Sequence, residues 1–219
     1  MKIAYGKENI DLPLPEGMDI LLPPILKEEP SDILTLVNGA FAYASPTLEK
    51  YLEGADNLLV VVPDRTRRCG LSNLLPLILE RVQKAGIPPE KIEFLIASGT
   101  HKHIGSDAYS DLLGENIAGK YPITEHNPDE GNISIGTTSR GTEVIVNRKV
   151  IEAERVLAVG GMLPHYFAGY GGGPKLIVPG CSARETIRRN HTMSLHLEDD
   201  WQPGRGAWNR WSADRKFSS

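Results

Sequence analysis

The sequence predicts an α/β fold: a mostly parallel sheet flanked by helices, with a β-hairpin excursion and an irregular N-terminal segment. Three observations lead there. Leu58–Val62, Ile92–Ala97 and Arg155–Val159 are largely apolar runs, as expected of strands covered on both faces. Between the first two lies a helical stripe at Leu74, Leu75, Ile78 and Val82. Strands alternating with helices pair in parallel, because each crossover returns the chain to the same end of the sheet.

Taken in order, Met1–Leu14 reads as two short strands around a turn at Gly6–Asn9. Pro13, Pro15, Pro23, Pro24 and Pro30 then keep the backbone extended and irregular. Ser45-Pro46 sets a capping hydroxyl before a first-turn proline, which predicts a helix start, with Gly54 as its stop. The helix after the first long strand spans Leu71–Ala85, and Gly86 stands where a C-terminal cap belongs. A helix over Ser106–Leu113 follows the second strand, then a hairpin around Ser139-Arg140-Gly141.

The third strand opens into a glycine-rich stretch, Gly160–Gly180, which carries His165, Gly169, Gly171, Gly172, Gly173 and Lys175 and runs into a second apolar segment, Leu176–Val178, read as a further strand. Ser182 and Glu185 have capping-box spacing and predict a helix to about Met193, with His191 near its end. Residues 197–219 show no helix or strand period and hold all three tryptophans. They are expected to form an irregular tail, truncated or out of frame, after one domain over residues 1–196.

Composition narrows the class of function. At 219 residues, 40% hydrophobic and 24% charged, the chain has the make-up of an ordinary globular protein with material for a full core. A net charge of −4 argues against broad nucleic-acid or anionic-membrane binding. No apolar run of about 18 residues and no basic-then-apolar N-terminus are visible, and the two cysteines make neither a disulfide framework nor a CxxC zinc site. The expectation is a cytoplasmic protein without membrane or nucleic-acid partners, with a homo-oligomer left open.

Chemistry concentrates where strands end. Asp64-Arg65-Thr66-Arg67 follows the first strand, Gly99-Thr100-His101-Lys102-His103 the second, and the His165 loop the third. In parallel α/β sheets the ligand crevice lies beyond the carboxyl ends of the strands, so the three segments should share one edge. Gly169–Lys175 is not a phosphate loop, since Pro174 and Leu176 flank the lysine where glycine and a hydroxyl residue are required. A Schiff-base lysine for pyridoxal phosphate has no second mark of that cofactor. His101 and His103, two apart, allow a zinc hydrolase, with no third ligand at matching spacing. His126 lies in a polar stretch and is expected to be solvated. A non-catalytic nucleotide-binding module is the other alternative.

With these residues in view, the chain resembles the nickel-pincer-nucleotide-dependent lactate racemase family over about residues 1–196. The resemblance rests on Asp64-Arg65-Thr66-Arg67, Gly99-Thr100-His101, His165 followed by glycines and Lys175, and Asn190-His191, in that order and at matching separations. It implies a 2-hydroxy-acid racemase or epimerase. The implied cofactor, Ni(II)-pyridinium-3,5-bisthiocarboxylate mononucleotide, would be supplied by cofactor biosynthesis proteins. It further implies that Lys175 holds the cofactor through a thioamide, His191 binds nickel, His101 and His165 serve as acid and base, and Asp64 to Arg67 contact the nucleotide. Hydride transfer suits such a substrate, because loss of its α-proton beside a carboxylate is difficult, and two imidazoles suit a reaction needing one base per face. Members of the family also carry a second domain completing the cleft, which is not recognisable in this sequence.

Overall fold

The computed structural model describes residues 2–5, 8–15, 17–18, 32–67, 69–165 and 169–192. Two compact units divide the chain at Asp32. The first contains an antiparallel pair, β1 (Lys2–Tyr5) and β2 (Glu8–Asp11), registered Lys2 to Asp11 and Tyr5 to Glu8. The expected pair of strands is therefore present, with Glu8 and Asn9 of the predicted turn in β2, while Gly6, Lys7 and the prolines from Pro23 to Pro30 lie outside the described residues.

The second unit is built on a four-stranded parallel sheet of β3 (Leu58–Pro63), β4 (Ile92–Ala97), β5 (Ile123–Glu125) and β8 (Arg155–Ala158), in the order β5-β4-β3-β8. Every residue of β3 is buried, as its unbroken apolar run requires. Leu58, Val60 and Val62 point to one face, under α2 (Leu48–Leu52), α3 (Leu71–Lys84), α4 (Tyr109–Leu113) and α5 (Glu115–Ala118). Leu59 and Val61 point to the other, against Leu176, Cys181 and Val150 of α6 (Arg148–Glu152). From α3, Leu71, Leu75, Ile78, Leu79 and Val82 enter the first core, each worth about 1.5–3 kcal/mol of burial. Gly86, at φ +104°, ends that helix as expected.

The hairpin excursion is β6 (Asn132–Thr137) with β7 (Glu143–Asn147), antiparallel and bulged between Ser134 and Thr137. Against its β7 side lies α7 (Arg184–Thr192), where Thr186 Oγ1 accepts from the Ile145 amide (2.9 Å) and donates to the Glu143 carbonyl (2.7 Å).

Several expectations are corrected. α1 (Ile33–Ala42) is a helix in a stretch for which the sequence suggested no element. The helix near residue 46 begins at Leu48, capped by Thr47 Oγ1 on the Lys50 amide, so Ser45 is not its cap. The helix over 106–113 is a 3₁₀ turn (Ser106–Ala108) running into α4. Leu176–Val178 is no strand: Gly173–Leu176 forms a 3₁₀ turn, and Pro174 and Pro179 remove amides that a ladder would need. Ser182 does not cap α7, because its hydroxyl donates to the Ile177 carbonyl (2.9 Å) and the helix starts at Arg184. The predicted tail lies outside the described residues. Among the described residues, no helix is long and apolar enough to cross a membrane.

Candidate active site at the strand carboxyl ends

The sheet order fixes where a ligand crevice belongs. From β3 the chain moves to β4 and β5 on one side, then returns to place β8 on the other. Such a reversal separates the loops that follow the two diverging strands, and α/β sheets bind ligands in that gap. Here the gap lies between the segment after Pro63 and the segment after Ala158. The two segments meet closely: a Cβ on Gly161 would sit 3.0 Å from Cys69 Cβ. The glycine-rich segment also folds onto itself, with Gly172 at φ +74° so near the Gly161 carbonyl that a Cβ would come within 2.6 Å of its oxygen. Within it, β9 (Pro164–His165) pairs with β10 (Gly169–Tyr170), and the Gly171 amide donates to Leu163 O (2.7 Å).

Just past β3, the Asp64 carboxyl is buried and fully engaged. Its Oδ1 accepts from the Thr66 amide (3.0 Å) and hydroxyl (2.6 Å), folding residues 64–67 into a 3₁₀ turn. Its Oδ2 lies 2.6 Å from His101 Nδ1. A carboxylate only accepts, so Nδ1 carries the proton and Nε2 of the neutral ring is left with its lone pair. The His101 side chain is 54% exposed and that of Asp64 4%, so the ring presents Nε2 from an anchored position. The His101 loop is fixed from below: Glu125, at the end of β5, accepts from the Ile104 (2.8 Å) and Gly105 (2.9 Å) amides and from the Tyr109 hydroxyl (3.3 Å).

His165, Lys175, His191 and Arg67 form an electropositive group in a chain of net charge −4. Partial burial pushes the His165 imidazole below its ordinary range, and Lys175, Arg67 and His191 push it the same way. Lys175 is lowered by burial and then by Arg67, and His191 by burial and then by Lys175. His165 thus lies within electrostatic reach of Lys175, Arg67 and His191, and Lys175 within reach of Arg67, while Asp64 beside Arg67 in sequence holds His101. Arg65 is exposed on that turn, and Thr66 is bound to Asp64.

His103 is occupied elsewhere, its Nε2 donating to the His126 carbonyl (3.0 Å), so it does not pair with His101 on a common ligand. Among the described residues, no group of three or more His, Cys, Asp and Glu could hold a metal ion, and the zinc reading finds no support. His126 is fully buried, contrary to expectation, with Nε2 donating to Ser182 O (2.9 Å) and Nδ1 facing the Asn147 amide (3.2 Å). Two roles went unread in the sequence, the orienting of His101 by Asp64 and the bracing of its loop by Glu125. Asp64 and His101 follow neighbouring strands that end level, Pro63 beside Ala97, which is the signal that pairs them.

Comparison with known proteins gives a match to the lactate racemase N-terminal domain over residues 5–202. The chain is 29% identical over 150 residues to a lactate racemase of Lactiplantibacillus plantarum, covering 68% of this chain and 35% of that protein. With a lactate racemase of Thermoanaerobacterium thermosaccharolyticum it shares 28% identity over 201 residues, covering 87% and 46%. The solved lactate racemase apoprotein from the latter organism is similar in fold, with a TM-score of 0.73 at 28% identity over 87% of this chain and 45% of that one. The chain spans less than half the length of the curated relatives it matches.

Proposed function

Since the chain belongs to the lactate racemase N-terminal domain family, we propose that it is the acid–base and cofactor-holding part of a racemase or epimerase of small 2-hydroxy acids. One observation carries the reading. The single turn 64–67 organises both sides of the site, Asp64 anchoring His101 and Arg67 standing within the electrostatic reach of His165 and Lys175.

The donor set fits the nickel-pincer nucleotide. An amine whose proton is loosened by burial and by Arg67 is a better nucleophile, which suits Lys175 to a covalent acyl-type link. Arg67 offers a planar fork to a phosphate or a substrate carboxylate, and the surrounding positive charge favours either anion. Among the described residues no three metal-binding side chains come together, so His191 would be one ligand among donors that the cofactor brings itself. When bound, this group supplies a reversible acceptor for the hydride on the substrate α-carbon.

The chain's own residues handle the protons. His101 takes the hydroxyl proton of one enantiomer at Nε2, and Asp64 steadies the imidazolium that results. His165, held neutral by its surroundings, does the same for the other enantiomer. Each acts as acid when its partner has acted as base, and each such step is worth about 10²–10⁴-fold. A cytoplasmic setting, alongside the enzymes that build the cofactor, belongs to the same reading.

Intact-mass spectrometry tests it, after co-expression with the cofactor-building enzymes. Wild type should carry a nucleotide adduct that Lys175→Ala lacks. An adduct that survives in Lys175→Ala, or maps to Lys102, removes the basis for this assignment.

A further inference from the structure

Three consecutive carbonyls, those of Gly180, Cys181 and Ser182, are held from the ends of three different strands. Gly180 O accepts from the Gly99 amide past β4 (2.8 Å), Cys181 O from the Asn147 amide closing β7 (2.7 Å), and Ser182 O from His126 Nε2 past β5 (2.9 Å). On its upstream side this turn is wound onto Lys175. The Gly180 amide donates to Lys175 O (3.0 Å), and the Cys181 amide and Ser182 hydroxyl both donate to Ile177 O (2.9 Å each). Downstream it leads directly into α7, which bears His191. Where residues 180–182 are fixed therefore decides where Lys175 and His191 stand.

Two of the three bonds join backbone to backbone, and the third depends on a side chain buried without solvent contact. The Asn147 amide sets its proton. Asn147 Oδ1 accepts from the Lys149 amide (3.0 Å), capping α6, so its Nδ2 faces His126 Nδ1 (3.2 Å). Nδ1 must then accept, which leaves the ring proton on Nε2, aimed at Ser182. A second proton would set two N–H donors against each other. Turning the Asn147 amide over would satisfy His126 and strip α6 of its cap. Burial disfavours the imidazolium and outweighs the bond to Ser182 O, which favours it; His103 acts with burial and Asp129 against it. The charged groups around it are His103, the Asp129–Arg184 pair that reaches α7, and the Lys149–Glu93 pair beside Asn147.

We propose that His126 is a positioning residue, a neutral clamp of one tautomer that holds the 180–182 turn, and with it Lys175 and His191, at the strand ends; the imidazolium keeps its Nε2–H for Ser182 but opposes the Asn147 amide, so uptake of a proton favours opening of the turn. The functional consequence rests on the proposed roles of Lys175 and His191; the clamp itself rests on the bonds of His126 to Ser182 and Asn147.

Hydrogen exchange on the full chain without cofactor tests it, comparing amides of residues 175–183 with those of β3 and β4. Between about pH 7.5 and about pH 5, wild-type exchange in the segment, corrected for its intrinsic pH dependence, should accelerate about tenfold or more relative to the sheet. His126→Gln, whose amide can donate to Ser182 without titrating, should keep the protection at both values. His126→Leu should lose it at both while the sheet stays protected. Should the leucine variant not fold, the glutamine variant and the ring ¹⁵N shifts of wild type decide. The clamp is overturned if wild type shows no acceleration, if His126→Gln accelerates equally, or if the neutral ring carries its proton on Nδ1. A clamp that behaves as expected in a chain whose Lys175 takes no adduct would instead count against the racemase reading alone.

Discussion

Asp64 Oδ2 stands 2.6 Å from His101 Nδ1, and the carboxyl's other oxygen is committed to Thr66, so the imidazole is held by a group that cannot turn away. Asp64→Asn keeps the shape and removes the obligatory acceptor. The neutral His101 ring should then show a mixture of tautomers by ¹⁵N spectroscopy, where wild type shows Nδ1–H. In an assembled, cofactor-loaded enzyme racemisation should fall by about 10²-fold or more. A single unchanged tautomer in the variant would show that something other than Asp64 orients the ring.

Lys175 depresses the titration of both His165 and His191. Lys175→Met should therefore raise both midpoints, leaving more of each ring protonated near neutrality, with His126 as the internal reference. Histidine NMR titration of the chain without cofactor checks the direction. If neither midpoint rises, the electropositive group does not exist in solution.

Arg67 acts on Lys175 in the same manner. Arg67→Gln should raise the Lys175 titration and slow acylation of its amine in mildly alkaline buffer, read by peptide mapping after brief labelling. Equal or faster labelling would break the link between Arg67 and the reactivity of the lysine.

Gly172 and Gly173 both have positive φ, but only Gly172 is crowded, with a Cβ position 2.6 Å from Gly161 O against open space at Gly173. Gly173→Ala should cost about 1–2 kcal/mol for the left-handed backbone. Gly172→Ala should cost about 1–3 kcal/mol more, because the loop must part from its own backbone. Urea unfolding of the two variants compares them directly, and equal losses would mean that close packing does not set the loop's shape.

His126 has its folded-state titration lowered, chiefly by burial, so the unfolded chain takes up a proton first as pH falls. Its contribution to stability is complete above the unfolded value of about 6.5 and declines as pH drops through it, by at most about 1.4 kcal/mol per pH unit for one proton. The difference in unfolding free energy between wild type and His126→Gln should show that decline. A difference independent of pH would mean that the ring titrates alike in the folded and unfolded chain.

The parallel α/β core was legible in the sequence alone. The runs that became β3 and β4, and the stripe that became α3, are long enough for their periods to be unambiguous, and burial on both faces leaves an apolar strand no other arrangement. The placing of Asp64, His101 and the glycine-rich segment past the strand carboxyl ends was legible too, because the loop after each strand of a parallel sheet has only one edge to reach. Short elements were not legible: β5 has three residues, too few to show a period, and so Glu125 and His126 at its end looked like polar loop. The apolar Leu176–Val178 misled because composition does not record which amides are missing, and Pro174 and Pro179 turn that run into turns. Which polar groups meet was settled by tertiary packing. Asp64 and His101 are 37 residues apart and His126 and Ser182 are 56 apart. The first pair is joined by the lateral order of β3 and β4, the second by the seating of the 180–182 turn against β7 and the end of β5, and both follow from how the whole chain packs, not from any local preference of the residues brought together.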